Sequence, residues 1–278
     1  MLVNMVDILS KAKKNKYAVG LFNTTDTDML EAAISAAEEL QSPIIIGTAE
    51  VLLPYGELKL IAPALIAAAE RASVPVVVHY DHGLTYERCV EALQLGFSSV
   101  MFDGSASDPA KNTEQTAEIV RLAHAMGASV EGEIGHVGQG ATDDGLVTDS
   151  YTTPQEAVDF VKATGVDALA VAIGSAHGVY KSKPCLDIQR LREISAAVDT
   201  PLVLHGGSGL SDDDFRNVIA EGISKINIFT DLCIAGTKAM QNGIRTGMDY
   251  LNIRNEKVSV IREVVKKKMQ LFGSVGMK

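Results

Sequence analysis

Eight short apolar runs punctuate the chain, each followed by a stretch of mixed polarity. They are Tyr17 to Phe22, Pro43 to Gly47, Val74 to Tyr80, Ser98 to Phe102, Ala128 to Glu133, Ala168 to Ile173, Pro201 to Leu204 and Ile223 to Phe229. Most are rich in Val and Ile and apolar almost throughout, the pattern of strands covered on both faces of a parallel sheet. The intervening stretches predict helices. Met29, Leu30, Ala33, Ile34 and Ala37 recur at helical spacing, with Asp26 or Thr27 as N-cap. Ile119, Leu122, Ala123 and Met126 form another stripe, closed by Gly127.

Eight strand–helix alternations without a Pro-, Gly- or Ser-rich linker predict a (β/α)8, or TIM, barrel as a single domain over residues 1–278. An opening helix carrying Val3, Val6 and Leu9 would plug the amino-terminal end of the barrel, and Val258 to Leu271 would form a helical extension. A doubly wound open sheet shares the alternation. It expects a Gly-x-Gly-x-x-Gly turn after its first strand, where this chain has Phe22-Asn23-Thr24-Thr25.

Composition narrows the partners. Thirty-five acidic against 25 basic residues give a net charge of −10, which disfavours a nucleic-acid backbone as ligand. No apolar run approaches the roughly 20 residues that span a bilayer. Cys89, Cys185 and Cys233 are odd in number and lack metal-type spacing, and the first residues do not read as a signal peptide. A cytoplasmic protein acting on a small molecule is expected.

Chemistry in such a barrel gathers at the carboxyl ends of the strands. Those ends hold Asn23, His79-Tyr80-Asp81-His82-Gly83, Asp103, Glu131-Gly132-Glu133, Gly174 to Gly178, His205 to Gly209 and Asn227 to Asp231. Four of six histidines fall there; His136 lies in the loop after the fifth strand and His124 on a helix surface. His82, His177 and His205, from three strands, suit a Zn²⁺ site with one position open to substrate. His79 is expected to pack or orient its neighbours. The turn Gly206-Gly207-Ser208-Gly209, with Asn227 and Thr230 on the next strand, lies where barrels bind phosphate, and Lys181 offers a nearby positive charge.

These segments resemble the class II, metal-dependent aldolases. The likeness rests on Tyr-Asp-His-Gly at 80–83, Val-Met-Phe-Asp-Gly-Ser at 100–105 and Val-Glu-Gly-Glu-Ile-Gly at 130–135. Ala-Ile-Gly-Ser-Ala-His-Gly at 172–178, Leu-His-Gly-Gly-Ser-Gly at 204–209 and Lys-Ile-Asn-Ile-Phe-Thr-Asp at 225–231 extend it. The nearest branch is that of the shorter, often tetrameric fructose- and tagatose-bisphosphate aldolases. The resemblance implies His82, His177 and His205 as ligands of the catalytic Zn²⁺ and Asp81 as the acid/base at the bond cleaved. It implies Asp103 and Glu133 as ligands of a second metal, or as support for the histidines. Asn23, Gly178, Lys181, Gly206, Gly207, Ser208, Asn227 and Thr230 would hold the dihydroxyacetone phosphate fragment, assisted by a monovalent cation (Na⁺ or K⁺). A homodimer or homotetramer is implied as well. A Schiff-base route is disfavoured, because Lys225 begins its strand rather than ending it and no lysine ends the sixth.

The chain departs from the family twice. Relatives carry a glutamate on the loop after the fifth strand, in a segment like Gly-Gln-Glu-Asp-Asp; here residues 138–145 contain no Glu, leaving Asp143 or Asp144 as candidates. Relatives acting on bisphosphates place an arginine before a Tyr-Leu segment, where this chain has Met248, with Arg245 and Arg254 near in sequence. A ketose 1-phosphate whose aldehyde half is a neutral sugar or sugar acid is therefore the expected substrate. The alternatives are a bisphosphate aldolase, a metal-dependent hydrolase and a non-catalytic sugar-phosphate binder.

Overall fold

The computed structural model describes residues 1–135, 137–139, 151–180 and 184–278. Eight parallel strands close a barrel: β1 (Val19–Asn23), β2 (Ile44–Ala49), β3 (Val76–Gly83), β4 (Ser99–Phe102), β5 (Ser129–Ile134), β7 (Ala168–Val171), β9 (Leu202–Leu204) and β10 (Ile223–Ile228). Their order around the barrel is β1-β10-β9-β7-β5-β4-β3-β2. A two-stranded parallel pair, β6 (Gly138–Gln139) and β8 (Ala176–His177), stands apart from it. The expected barrel is thus the observed one, except that His177 sits on this extra pair beyond the end of β7. Strands approach closely where side chains allow: a Cβ on Gly47 would lie 2.0 Å from the carbonyl oxygen of His79 on the next strand.

The helices around the barrel are α2 (Thr27–Leu40), α3 (Leu58–Arg71), α4 (Tyr86–Gln94), α5 (Pro109–Ala125), α6 (Pro154–Thr164), α7 (Ile188–Ala197), α8 (Asp212–Ala220) and α9 (Thr230–Arg245). Asp26 caps α2, accepting from the amides of Asp28 and Met29. The outer faces of the strands and the inner faces of these helices share one apolar layer. At α5 the stripe ends with Ala123, since Met126 is exposed at the C-cap.

A second core fills the lower barrel. There Leu21, Ile45, Val77, Met101, Ala170 and Val203 point inward and meet α1 (Met5–Asn15). The plug forms as expected, but its buried stripe is Met5, Ile8, Leu9 and Ala12. That i, i+3, i+4, i+7 spacing leaves Val6 on the outer face, while Asn4 caps the helix by accepting from the amide of Val6. The terminal extension, α10 (Tyr250–Phe272), starts eight residues earlier than expected, capped by Asp249. It buries Val258, Ile261, Val265, Met269 and Phe272, and Lys257 reaches Asp26 and Asp28 of the α2 terminus at 2.8 and 3.0 Å.

Candidate active site

A cavity of about 320 Å³ opens at the carboxyl ends of the barrel strands. It is lined by Asn23, Asp81, His82, Asp103, Glu133, His177, Gly178, Gly206, Gly207, Ser208, Asn227 and Thr230, so these expected site residues come together in one place. Lys181, Asp143 and Asp144 lie outside the described residues.

Consecutive residues of a regular strand point to opposite faces, yet both Asp81 and His82 line the cavity. The β3–β4 ladder explains this. Tyr80 pairs with Val100 and Gly83 with Phe102, leaving one extra residue on β3. His82 takes up the irregularity with φ of 45°, a left-handed conformation that in a non-glycine residue costs on the order of 1–3 kcal/mol. The other non-glycine residues with positive φ among those described, Lys16 and Gln41, are helix C-caps. The bulge thus turns both neighbours toward the same space.

Three imidazole nitrogens face one another above this bulge. His82 Nε2 lies 3.2 Å from His177 Nε2 and 2.8 Å from His205 Nδ1. The far nitrogens of two rings are already engaged: His82 Nδ1 with Asp103 Oδ2 at 2.8 Å, and His205 Nε2 with Glu131 Oε1 at 2.8 Å. Carboxylates only accept, so those far nitrogens carry the protons and the near ones present lone pairs. Two lone pairs 2.8 Å apart require a positive charge between them. Burial opposes charge on His82, but the Asp81 carboxylate and the bond to Asp103 raise it to about 9. Burial, then the charge of His82, presses His177 down to about 3. Neutral imidazoles backed by carboxylates are the donor set of a divalent metal with a nitrogen-rich first sphere, and the trio fits such an ion.

Asp81 is almost fully buried beside the trio. Asn23 Nδ2 donates to its Oδ2 at 2.7 Å, and Asn227 Nδ2 approaches Oδ1 and Oδ2 at 3.0 and 3.2 Å. Burial would raise its pKa; the charges of His82 and Lys225 win and hold it well below the usual carboxylate range. The amide oxygens of Asn23 and Asn227 are buried without partners. Glu133 behaves oppositely. Burial and the nearby Asp103 charge push it to about 8, and its Oε2 has no partner. With His82 and Asp103 it forms a second group of donors tight enough for an ion.

The remaining walls differ in character. On one side, Gly206 and Gly207 bring bare backbone to the cavity. A Cβ on Gly206 would lie 2.2 Å from the carbonyl oxygen of Ala176, and its φ is 66°. Ser208 Oγ accepts from the amides of Phe229 and Asp231 at 3.3 and 3.2 Å, bracing the first turn of α9, where Thr230 begins the helix. Across the cavity stand Ala49, Val51, Leu52, Leu84, Ala106 and Val137. No Lys or Arg lines it among the described residues. Met248, Arg245 and Arg254 stay outside the lining: Arg245 bonds Asn242, while Arg254 is held by Asp28 and Glu31.

Two residues that the strand-end reading did not single out as site groups lie beneath the trio. Glu131 accepts from His205, and Lys225 Nζ lies 2.7 Å from Glu131 Oε2, both side chains fully buried. Lys225 stands two positions before Asn227, and Glu131 two before Glu133. The twofold period of a strand therefore places them on the same inward rows, a signal the sequence does hold.

A mouth of this kind marks an enzyme built on the barrel. A family model described as class-II fructose-bisphosphate aldolase matches residues 3–277, and the chain belongs to that family. It is therefore an aldolase-family lyase. It is 41% identical over 99% of its length, and 96% of the relative's, to a 6-phospho-5-dehydro-2-deoxy-D-gluconate aldolase of Bacillus licheniformis. It is 39% identical to a fructose-bisphosphate aldolase of Thermus caldophilus, covering 99% of each chain. The crystal structure of the YdjI aldolase from Escherichia coli K12 superposes with a TM-score of 0.91 at 37% identity, covering 100% of this chain and 99% of that one. No helix among the described residues is long and apolar enough to cross a membrane.

Proposed function

We propose that the protein is a zinc-dependent aldolase that reversibly cleaves a ketose 1-phosphate into dihydroxyacetone phosphate and an aldehyde without phosphate. The observation that carries this reading is Asp81, an anion held by two amides immediately beside three converging imidazole nitrogens. His82, His177 and His205 would hold the zinc, which when bound supplies Lewis-acid stabilisation of negative charge on the substrate's oxygen. Asp81 takes the proton from the hydroxyl at the carbon–carbon bond that breaks and returns it in the synthetic direction. The orphaned amide oxygens of Asn23 and Asn227 accept substrate hydroxyls. Backbone N–H groups around Gly206 to Ser208 and the first turn of α9 hold the phosphate, with Gly178 opposite and a monovalent cation beside it. Asp103 and Glu133 bind a second cation in the same reading, and a second copy of the chain covers the exposed Ile244, Tyr250 and Leu251 at the α9–α10 turn.

The two named relatives differ in substrate, so the family leaves that choice open. The apolar wall and the lack of a lining cation among the described residues favour an uncharged end opposite the phosphate, since a second phosphate dianion calls for an Arg or Lys. The test offers dihydroxyacetone phosphate with a panel of aldehydes, identifies the products, and compares kcat/KM for ketose 1-phosphates with that for bisphosphates. A clear preference for the bisphosphates overturns the substrate reading. Consumption of water without release of a triose phosphate overturns the aldolase reading in favour of hydrolysis.

A further inference from the structure

The floor of the site holds a charge pair that the reaction does not touch. Lys225 on β10 and Glu131 on β5 are both fully buried inside the barrel and meet at 2.7 Å as an ion pair, with neither Nζ nor Oε2 in a hydrogen bond. Neither lines the substrate cavity. A buried ion pair of this kind is weak support for a fold, because apolar residues of similar size often serve stability equally well. Its geometry points elsewhere. Glu131 has two oxygens and three neighbours: Oε1 meets His205 Nε2 at 2.8 Å, and Oε2 meets Lys225 while lying 3.8 Å from His79 Nε2. That His79 nitrogen is buried without a partner, its ring fixed at the other side by Ser99 Oγ at 2.8 Å. The carboxylate therefore has a competing neighbour within a short swing, a nitrogen that also lies 3.7 Å from Asp81 Oδ1.

We propose that Lys225 is a positioning residue for the metal trio, acting through Glu131. Its ammonium holds Oε2 and so aims Oε1 at His205. The Nε2–H of His205 is thereby committed to Glu131, and Nδ1 is left to face the metal. Without the ammonium, the carboxylate turns toward His79, and the His205 ring loses the partner that sets both its tautomer and its angle. The inference rests on the reading that the trio binds a divalent metal.

The test uses the full-length protein as wild type, Glu131→Gln, Lys225→Met and the double variant. Zn²⁺ affinity is measured by competition with a chromophoric chelator, and ligand geometry by the visible absorption of the Co²⁺-loaded protein. Each single variant is expected to bind metal about 10–100-fold more weakly, the usual cost of losing a histidine's outer partner. Both should shift the Co²⁺ bands in the same direction. The double variant should bind as Glu131→Gln does, because the ion pair with Glu131 is the contact through which Lys225 orients a ligand ring, its charge on Asp81 acting on a residue that does not hold the metal. Wild-type affinity and spectrum in Lys225→Met overturn the proposal, as do losses that multiply in the double variant. If Lys225→Met alone fails to fold, the double variant, with no charge left in the floor, decides: affinity equal to Glu131→Gln supports the proposal, and a further tenfold loss overturns it. Failure of wild type to bind a divalent ion through His177 is a different result, overturning the metal reading itself.

Discussion

The lower and upper halves of the barrel interior are built on the same strands and differ in what the inward positions hold. Below, Leu21, Val77, Met101 and Val203 pack toward the plug helix in a layer that is apolar apart from the Lys225–Glu131 pair, which stands in register with Val203 and Met101. Two residues further along, the same rows carry Asn23, His79, Asp103 and His205. The lower half can repack, since apolar side chains of the right volume exchange at modest cost. The upper half cannot, because its buried side chains hydrogen-bond across strands, Asn23 and Asn227 to Asp81, His79 to Ser99 and His205 to Glu131. The contrast teaches that stability and chemistry occupy successive layers of one structure rather than separate regions.

The sharpest way to break the comparison is to remove a ligand from the upper layer. His177→Ala should lose the metal and lower turnover on the order of 10³-fold or more, while circular dichroism shows a native fold; elemental analysis reports the metal. Next, Asp81→Ala should keep its metal and lower kcat by about 10²–10⁴-fold. Loss of metal there would make Asp81 a ligand instead of a base. The third effect is a pH dependence. His82 at about 9 keeps a proton that an incoming metal must displace, whereas His177 at about 3 is already neutral. Apparent Zn²⁺ affinity should therefore rise about tenfold per pH unit from pH 7 and flatten near pH 9, with about one proton released per ion. A flat profile over that range would contradict the arrangement. The smallest functional effect belongs to the lower layer. Met101→Ala should lower the Tm, at a cost of about 2–5 kcal/mol, and leave metal affinity and kcat near their wild-type values.

Much of this was legible in the sequence. The eight runs locate the barrel strands, and many of the residues that end them, Asn23, Asp81, His82, Asp103, Glu133 and Asn227, meet in one cavity, with His205 buried behind its lining. What the pattern could not convey is backbone conformation. The left-handed His82 depends on an extra residue in the β3–β4 register, which no composition reveals. The buried face of α1, by contrast, is written in the chain: Met5, Ile8, Leu9 and Ala12 stand at i, i+3, i+4 and i+7, and that spacing turns Val6 outward. Glu131 stands among the strand-end residues but without a role of its own, and Lys225, two positions before Asn227, lies one layer down where a reading confined to strand ends passes over it. The extra pair holding His177 joins segments nearly forty residues apart, beyond the reach of local periodicity.

The seam of the barrel carries a consequence for how the protein is made. Val19 to Phe22 pair with Lys225 to Ile228, so the first and last barrel strands are separated by about two hundred residues of chain. Contacts that distant in sequence form late and slowly. Asn23 and Asn227, which together grip Asp81, stand on either side of that seam. A chain emerging from the ribosome can lay down its helices and most of its strands in order, but it holds an incomplete clamp until the final strand docks. Competence for chemistry should therefore arrive in one step, at closure, rather than accumulate as the chain lengthens.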